Sequence, residues 1–171
     1  MEINDFQPIQ EETPKRPTFL TVLAVLSFVS IGFSLLSSFV AVATGPQSDD
    51  QMMEQRVQLA ELAEEMRAEN LDSMAMTIEK IERMLLALND HFFANQLLTI
   101  FVLIAGLVGV LFMWQGKRLG FHIYIMYSIF AAVQYYVFVS PADIPSFLII
   151  WNLIVSAVFV LLYSRNLSWM K

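Results

Sequence analysis

The sequence predicts an all-α integral membrane protein: a four-helix bundle in the bilayer with an acidic helical extracytoplasmic loop domain between spans 1 and 2. Three observations predict it. The 171 residues are 57% hydrophobic and only 15% charged, against about 45–50% and about 25% in soluble domains. Four apolar stretches, residues 18–43, 91–114, 119–139 and 147–163, contain no Asp, Glu, Lys or Arg. A helix needs about 20 mainly apolar residues to cross about 30 Å of hydrocarbon, so each has the length of a span. Between the first two stretches lies a polar segment rich in Ala, Leu, Met, Glu, Gln and Arg, the strong helix formers.

Taken in order, residues 1–17 hold Pro8, Pro14, Pro17 and the pair Glu11-Glu12. They carry too little apolar surface to fold alone and are predicted to form a flexible cytoplasmic tail. The first stretch ends at Ala41-Val42-Ala43, which has the form of a signal-peptide cleavage site. Its apolar core is longer than the about 7–15 residues of a signal h-region, so the stretch is read as a retained anchor, span 1. Ser27, Ser30, Ser34 and Ser37 recur along it at helical spacing, beside Thr21, Ala24 and Ala41. Without a hydrophobic drive between helices in lipid, small residues let backbones approach closely, so these positions are a predicted packing face; lining a water-filled path is the alternative.

Residues 44–90 are the one sizeable polar segment. Gly45-Pro46 ends span 1, and Asp49-Asp50 stands where acids complement the dipole of a new helix. Downstream, Leu71, Met74, Ile78, Ile81, Leu85 and Leu88 are spaced 3, 4, 3, 4 and 3, an a/d seam about two and a half heptads long. Leu59, Leu62 and Met66 make a shorter stripe whose phase breaks near Ala68-Glu69-Asn70. The pattern predicts a helical hairpin or a kinked helix running into span 2. Its seam either packs within the chain or docks another protein or a second copy. Glu79 and Arg83 stand at i,i+4 in the favourable order.

Span 2 (91–114) contains Ala105-x-x-x-Gly109, a small-xxx-small pair with Gly106 beside it. A short cytoplasmic turn (115–118) leads to span 3 (119–139), and an outer turn (140–146) leads to span 4 (147–163), followed by a cytoplasmic tail (164–171). With the spans laid antiparallel, Asn95, Gln96, Gln134 and Asn152 fall in the outer third, and Ser128 lies level with Ser156. These polar residues are either interhelical pins or a solute site.

Orientation follows from Lys and Arg near the span ends, which are retained in the cytoplasm. Lys15, Arg16, Lys117, Arg118, Arg165 and Lys171 all fall on one side. The outer turn has no basic residue, and residues 44–90 carry eleven acids against four basic residues. Both termini are therefore expected in the cytoplasm. Trp114, Tyr163 and Trp169 fit an inner aromatic belt, and His91, Phe92, Phe93 and Phe147 an outer one.

The chemistry is sparse. A net charge of -6 argues against nucleic acid. With no cysteine, thiolate metal sites and cysteine nucleophiles are excluded. His122, near the cytoplasmic end of span 3, is read as interfacial, with a proton relay as the alternative, and His91 is too lone for the three or four ligands of a metal site. No H-E-x-x-H, G-x-S-x-G or phosphate loop is present. No catalytic residue, cofactor or metal is expected.

The segments Arg16-Pro17-Thr18-Phe19-Leu20-Thr21-Val22-Leu23 and Gly116-Lys117-Arg118-Leu119-Gly120-Phe121-His122-Ile123-Tyr124 resemble those of small four-span inner-membrane proteins of Bacteroidetes. That resemblance implies a bacterial inner membrane and a family with no assigned activity, and it carries over no functional residues. The expected function is that of a non-enzymatic membrane scaffold or accessory subunit, whose outer helices bind a protein partner or a second copy. A small transport or channel protein is the alternative.

Overall fold

A computed structural model describes residues 16–171. Lys15 and nearly all of the expected N-terminal tail lie outside the described residues. Six α-helices follow in order: α1 (Thr18–Thr44), α2 (Asp49–Ala68), α3 (Asp72–Asp90), α4 (Phe92–Trp114), α5 (Arg118–Val133) and α6 (Ser146–Ser164). Among the described residues there is no strand. Three of these helices, α1, α4 and α6, are long and apolar enough to cross a membrane.

The stretch 119–139 does not form one α-helix. Helix α5 has 16 residues and ends at Val133, and the chain then tightens into a 3₁₀ turn over Gln134–Val137. That turn delivers Val139, 3% exposed, into a cluster with Met84 of α3 and Ile144 of the following connection. A continued α-helix would carry Val139 past these partners.

Helix α1 ends at Gly45, whose φ of +80° is open to glycine but strained for other residues; its N–H closes on the Ala41 carbonyl at 2.9 Å. Helix α2 opens on a capping box. The Ser48 N–H donates to Gln51 Oε1 at 3.0 Å, and the Gln51 N–H to Ser48 Oγ at 3.4 Å. Each satisfies a backbone donor that the first turn leaves free. Asn70 sits at φ +63° between α2 and α3, a left-handed conformation that asparagine tolerates better than most residues. The chain reverses there, and α2 packs along α3.

Two ion pairs bridge the arms: Arg56 to Glu82 at 2.9 Å, and Arg67 to Glu79. The expected Glu79–Arg83 pair is replaced, because Arg67 takes Glu79 across the hairpin while Arg83 reaches Asp143 at 2.6 Å. At the base, the Gln47 N–H donates to Asn89 Oδ1 at 2.9 Å, and Asn89 returns a bond to the Gln47 carbonyl at 3.2 Å.

The core of the bundle gathers Leu20, Leu23, Ala24 and Ile31 of α1, Leu103, Val110 and Met113 of α4, Phe121 and Tyr124 of α5, and Tyr163 of α6. Glycines set the α4–α5 crossing. A Cβ on Gly120 would stand 2.5 Å from both the Gly109 carbonyl oxygen and the Met113 nitrogen, so the backbones touch where only glycine fits. Helix α6 is held more loosely, with Tyr163 its one buried residue. Tyr163, expected in an aromatic belt, is fully buried instead because its hydroxyl reaches Ser27. Residues after α6 fold back on the α4–α5 turn. The Lys171 N–H donates to the Gly116 carbonyl at 2.7 Å, Arg118 Nε donates to the Met170 carbonyl at 2.8 Å, and Met170 is 1% exposed.

Candidate functional site

Two places concentrate the residues that sequence reasoning singles out: the hairpin of α2 and α3, and a cavity inside the bundle. The seam on α3 does not behave as one stripe. Leu71 and Met74, at the hairpin tip, are 37% and 55% exposed. Ile78, Ile81, Leu85 and Leu88 are half-buried. Leu88 packs against the cluster of Met84, Val139 and Ile144, so the base of the seam lies on the connection between α5 and α6. Near the tip, Leu62 of α2 is also exposed.

Helix α1 buries Leu20, Leu23, Ala24, Ser27, Ile31 and Ser38. Of the predicted small-residue face Ala24 and Ser27 are buried, Thr21, Ser34 and Ala41 are half-buried, and Ser30 and Ser37 are exposed. Leu20, Leu23 and Ile31 join the core with α4, while Ser27 and Ser30 lie on the flank toward α6. The small pair of α4 divides similarly. Gly109 is buried, and a Cβ there would stand 3.0 Å from the Tyr124 backbone nitrogen of α5. Ala105 lines an apolar groove of about 300 Å³ between α4 and α5, with Phe101, Met126, Tyr127 and Phe130.

The serine flank opens on a cavity of about 210 Å³ between α1, α5 and α6. Ser27, Ser30 and Ile31 line it from α1; Tyr124, Tyr127, Ser128 and Ala131 from α5; Asn152, Val155, Ser156 and Phe159 from α6. None of these side chains is charged. Tyr163 Oη donates to Ser27 Oγ at 2.9 Å, and its ring meets that of Tyr124 edge-on at 5.0 Å between centroids. Asn152 Nδ2 is taken by the Leu148 carbonyl of its own helix at 2.9 Å.

The four large polar residues do not share one site. Asn152 lines this cavity, whereas Asn95 and Gln96 line a separate one of about 230 Å³ at the hairpin base, with Gly45, Gln47, Leu85, Leu88, Asn89 and Phe92. Gln134 lies in the 3₁₀ turn, its Oε1 buried without a hydrogen-bond partner. Sequence reasoning does not single out Tyr124 and Tyr127, although their spacing with Ser128 and Ala131 places all four on neighbouring turns of one face. His122 lies beside its own helix, Nδ1 3.1 Å from the Arg118 carbonyl oxygen, and the His91 ring stacks near Phe138 at 5.8 Å. Among the described residues no three His, Cys, Asp or Glu side chains converge.

The chain matches no family model, no curated protein and no solved structure.

Proposed function

We propose that this chain is a multi-pass protein of a bacterial inner membrane, crossing the bilayer four times with both termini in the cytoplasm. In this reading it is a non-enzymatic scaffold or accessory subunit that holds a protein partner or a second copy through its outer hairpin. For the fourth crossing, the 16 residues of α5 rise about 24 Å and the 3₁₀ turn adds about 8 Å, together close to the hydrocarbon thickness. For the orientation, Arg16 lies over the Trp114 ring, and Arg118 and Lys171 meet at the α4–α5 turn beside Lys117, a grouping of basic residues that supports a cytoplasmic end.

The observation that carries the functional reading is the hairpin tip. Leu71, Met74 and Met76 are exposed toward the tip on α3 and Leu62 on the facing arm, with Met53 and Val57 exposed farther down α2, in a segment that carries eleven acids against four basic residues. Methionine and leucine at a helical tip make an adaptable contact surface. The test is cross-linking and co-purification from the native membrane, comparing the intact chain with Leu71→Ser/Met74→Gln. Exposed substitutions of this kind alter stability by only about 0.5 kcal/mol, so the fold survives them. Loss of the associated chains supports the scaffold; unchanged associates refute it.

The intramembrane cavity favours a second reading, passage of a small neutral solute. Its check is osmotic swelling of protein-loaded vesicles in glycerol, where a rate equal to that of empty vesicles removes it.

A further inference from the structure

The cavity between α1, α5 and α6 has a feature that helix packing does not explain. Ser128 is 5% exposed, lines the cavity, and its hydroxyl has no hydrogen-bond partner among the described residues. Its oxygen faces the cavity instead of being sealed in the packing, so away from water it lacks the partner that a hydroxyl ordinarily finds. Packing alone would be served better by alanine. Around it stand Ser27, Ser30, Ser156 and Asn152, groups that both donate and accept and that bear no charge.

Depth and access narrow the occupant. Ser27 is about 14 Å along α1 from its start, and Ser156 about 12 Å from the end of α6, at 1.5 Å per residue. Both therefore stand near mid-depth, beyond the reach of phospholipid headgroups. The mouth lies between α1 and α6, where the lining residue Val155 is 40% exposed and Ser30 is exposed as well. Neighbouring surface on both helices is apolar, including Val29 at 67% and Trp151 at 66% exposed. An occupant enters sideways from hydrocarbon, which selects against ions.

We infer that this cavity is a binding site for a lipid-dissolved, uncharged amphiphile whose hydroxyl or carbonyl group hydrogen-bonds to Ser128 and its neighbours while its apolar body leaves between α1 and α6. The cavity of about 210 Å³ is smaller than the about 300–1,000 Å³ of a site that encloses a drug-sized ligand, so it takes the polar head and not the whole molecule. The site is separate from the hairpin and needs no protein partner.

The test uses the full chain in phosphatidylethanolamine and phosphatidylglycerol vesicles, with a long-chain alcohol bearing a photoactivatable diazirine near its hydroxyl. Mass spectrometry maps the attachment sites. Attachment is expected at Ser30, Ile31, Val155 and Ser156 above that at Leu97, a lipid-exposed reference on α4. Excess decanol should abolish the difference and excess dodecane should not. Ser128→Ala and Ser156→Ala, which keep the space and remove a hydroxyl, should each weaken apparent binding roughly three- to tenfold, the effect of one intramembrane hydrogen bond. Attachment spread evenly over exposed positions overturns the inference. So does competition by dodecane as effective as by decanol, a result obtained on the unaltered chain and independent of any variant's folding. Competition by glycerol from the aqueous phase as effective as by decanol also overturns it, because the mouth would then open to water.

Discussion

The hydroxyl of Tyr163 donates to Oγ of Ser27 at 2.9 Å, joining the last long helix to the first across a separation of 136 residues. Tyr163 is the one fully buried residue of α6, with Phe159, Val160 and Leu162 packed half-buried on the same core, so this contact and its ring are the most enclosed tie of α6 to the bundle. Removing the hydroxyl alone costs little, because intramembrane hydrogen bonds are worth about 0.6 kcal/mol and at most about 1.7 kcal/mol. Removing the ring leaves a cavity, at about 3–5 kcal/mol for a large aromatic side chain. Tyr163→Phe should therefore unfold in detergent titration nearly as the parent does, while Tyr163→Ala should release α6 at markedly lower denaturant. Equal losses in the two variants would show that the hydrogen bond, and not the packing, holds the helix.

The α4–α5 crossing makes a sharper demand. A Cβ on Gly120 would lie 2.5 Å from two backbone atoms of α4 and 2.7 Å from Phe112 Cβ, none of which can turn aside as a flexible side chain could. Gly106 differs, since its Cβ would meet only Tyr127 side-chain atoms at 2.7–2.9 Å, and relief asks one side chain to shift, not the backbone of a neighbouring helix. Gly120→Ala should force the helices apart and cost about 1–3 kcal/mol, the range for overpacking, with Gly106→Ala less damaging. Thermal denaturation of the two variants in one detergent tests the order, and a Gly106 variant weaker than the Gly120 variant would contradict it.

These residues also mark how far the sequence could be read. Stretches such as 91–114 are legible because hydropathy is a property of the stretch itself, and α4 fills nearly that interval. The end of α5 is not, because its tightening brings Val139 to Met84, a residue 55 positions earlier that no local pattern announces. In α1 the spacing of Ser27, Ser30, Ser34 and Ser37 identifies a face but not its partner. Burial takes Ala24 and Ser27 of that face together with Leu20, Leu23 and Ile31, and leaves Ser30 and Ser37 exposed. Tyr163 reads as a belt residue from its place near a helix end, whereas its burial depends on Ser27 lying at the same depth on α1.

Within the hairpin, Gln55 offers a change expected to strengthen the fold. Its Oε1 is buried without a hydrogen-bond partner, on the α2 row that also holds Met52, Leu59 and Ala63. An unsatisfied buried polar atom costs about 1–3 kcal/mol, and an apolar side chain of similar length removes that cost. Gln55→Met should stabilise the hairpin by about 1 kcal/mol, seen as slower amide hydrogen exchange along α2 and α3. Faster exchange would mean that the carboxamide has a partner in solution.

The hairpin meets the α5–α6 connection through two neighbouring residues of different kinds. Arg83 pairs with Asp143 at 2.6 Å, with the two side chains 49% and 28% exposed. Met84 is 7% exposed and packs on Val139 and Ile144. A solvent-accessible ion pair contributes about 0.2–1 kcal/mol and weakens with salt, whereas truncating a buried methionine costs about 2–5 kcal/mol. Packing should thus outweigh charge. Met84→Ala should loosen the hairpin from the connection at any ionic strength, while Arg83→Gln should have a small effect that vanishes in about 1 M salt, where screening reaches about 3 Å. Spin labels at exposed positions on α3 and on the α5–α6 connection, away from both residues, report the separation. A larger displacement in Arg83→Gln than in Met84→Ala would reverse the ranking and make the ion pair the principal tie.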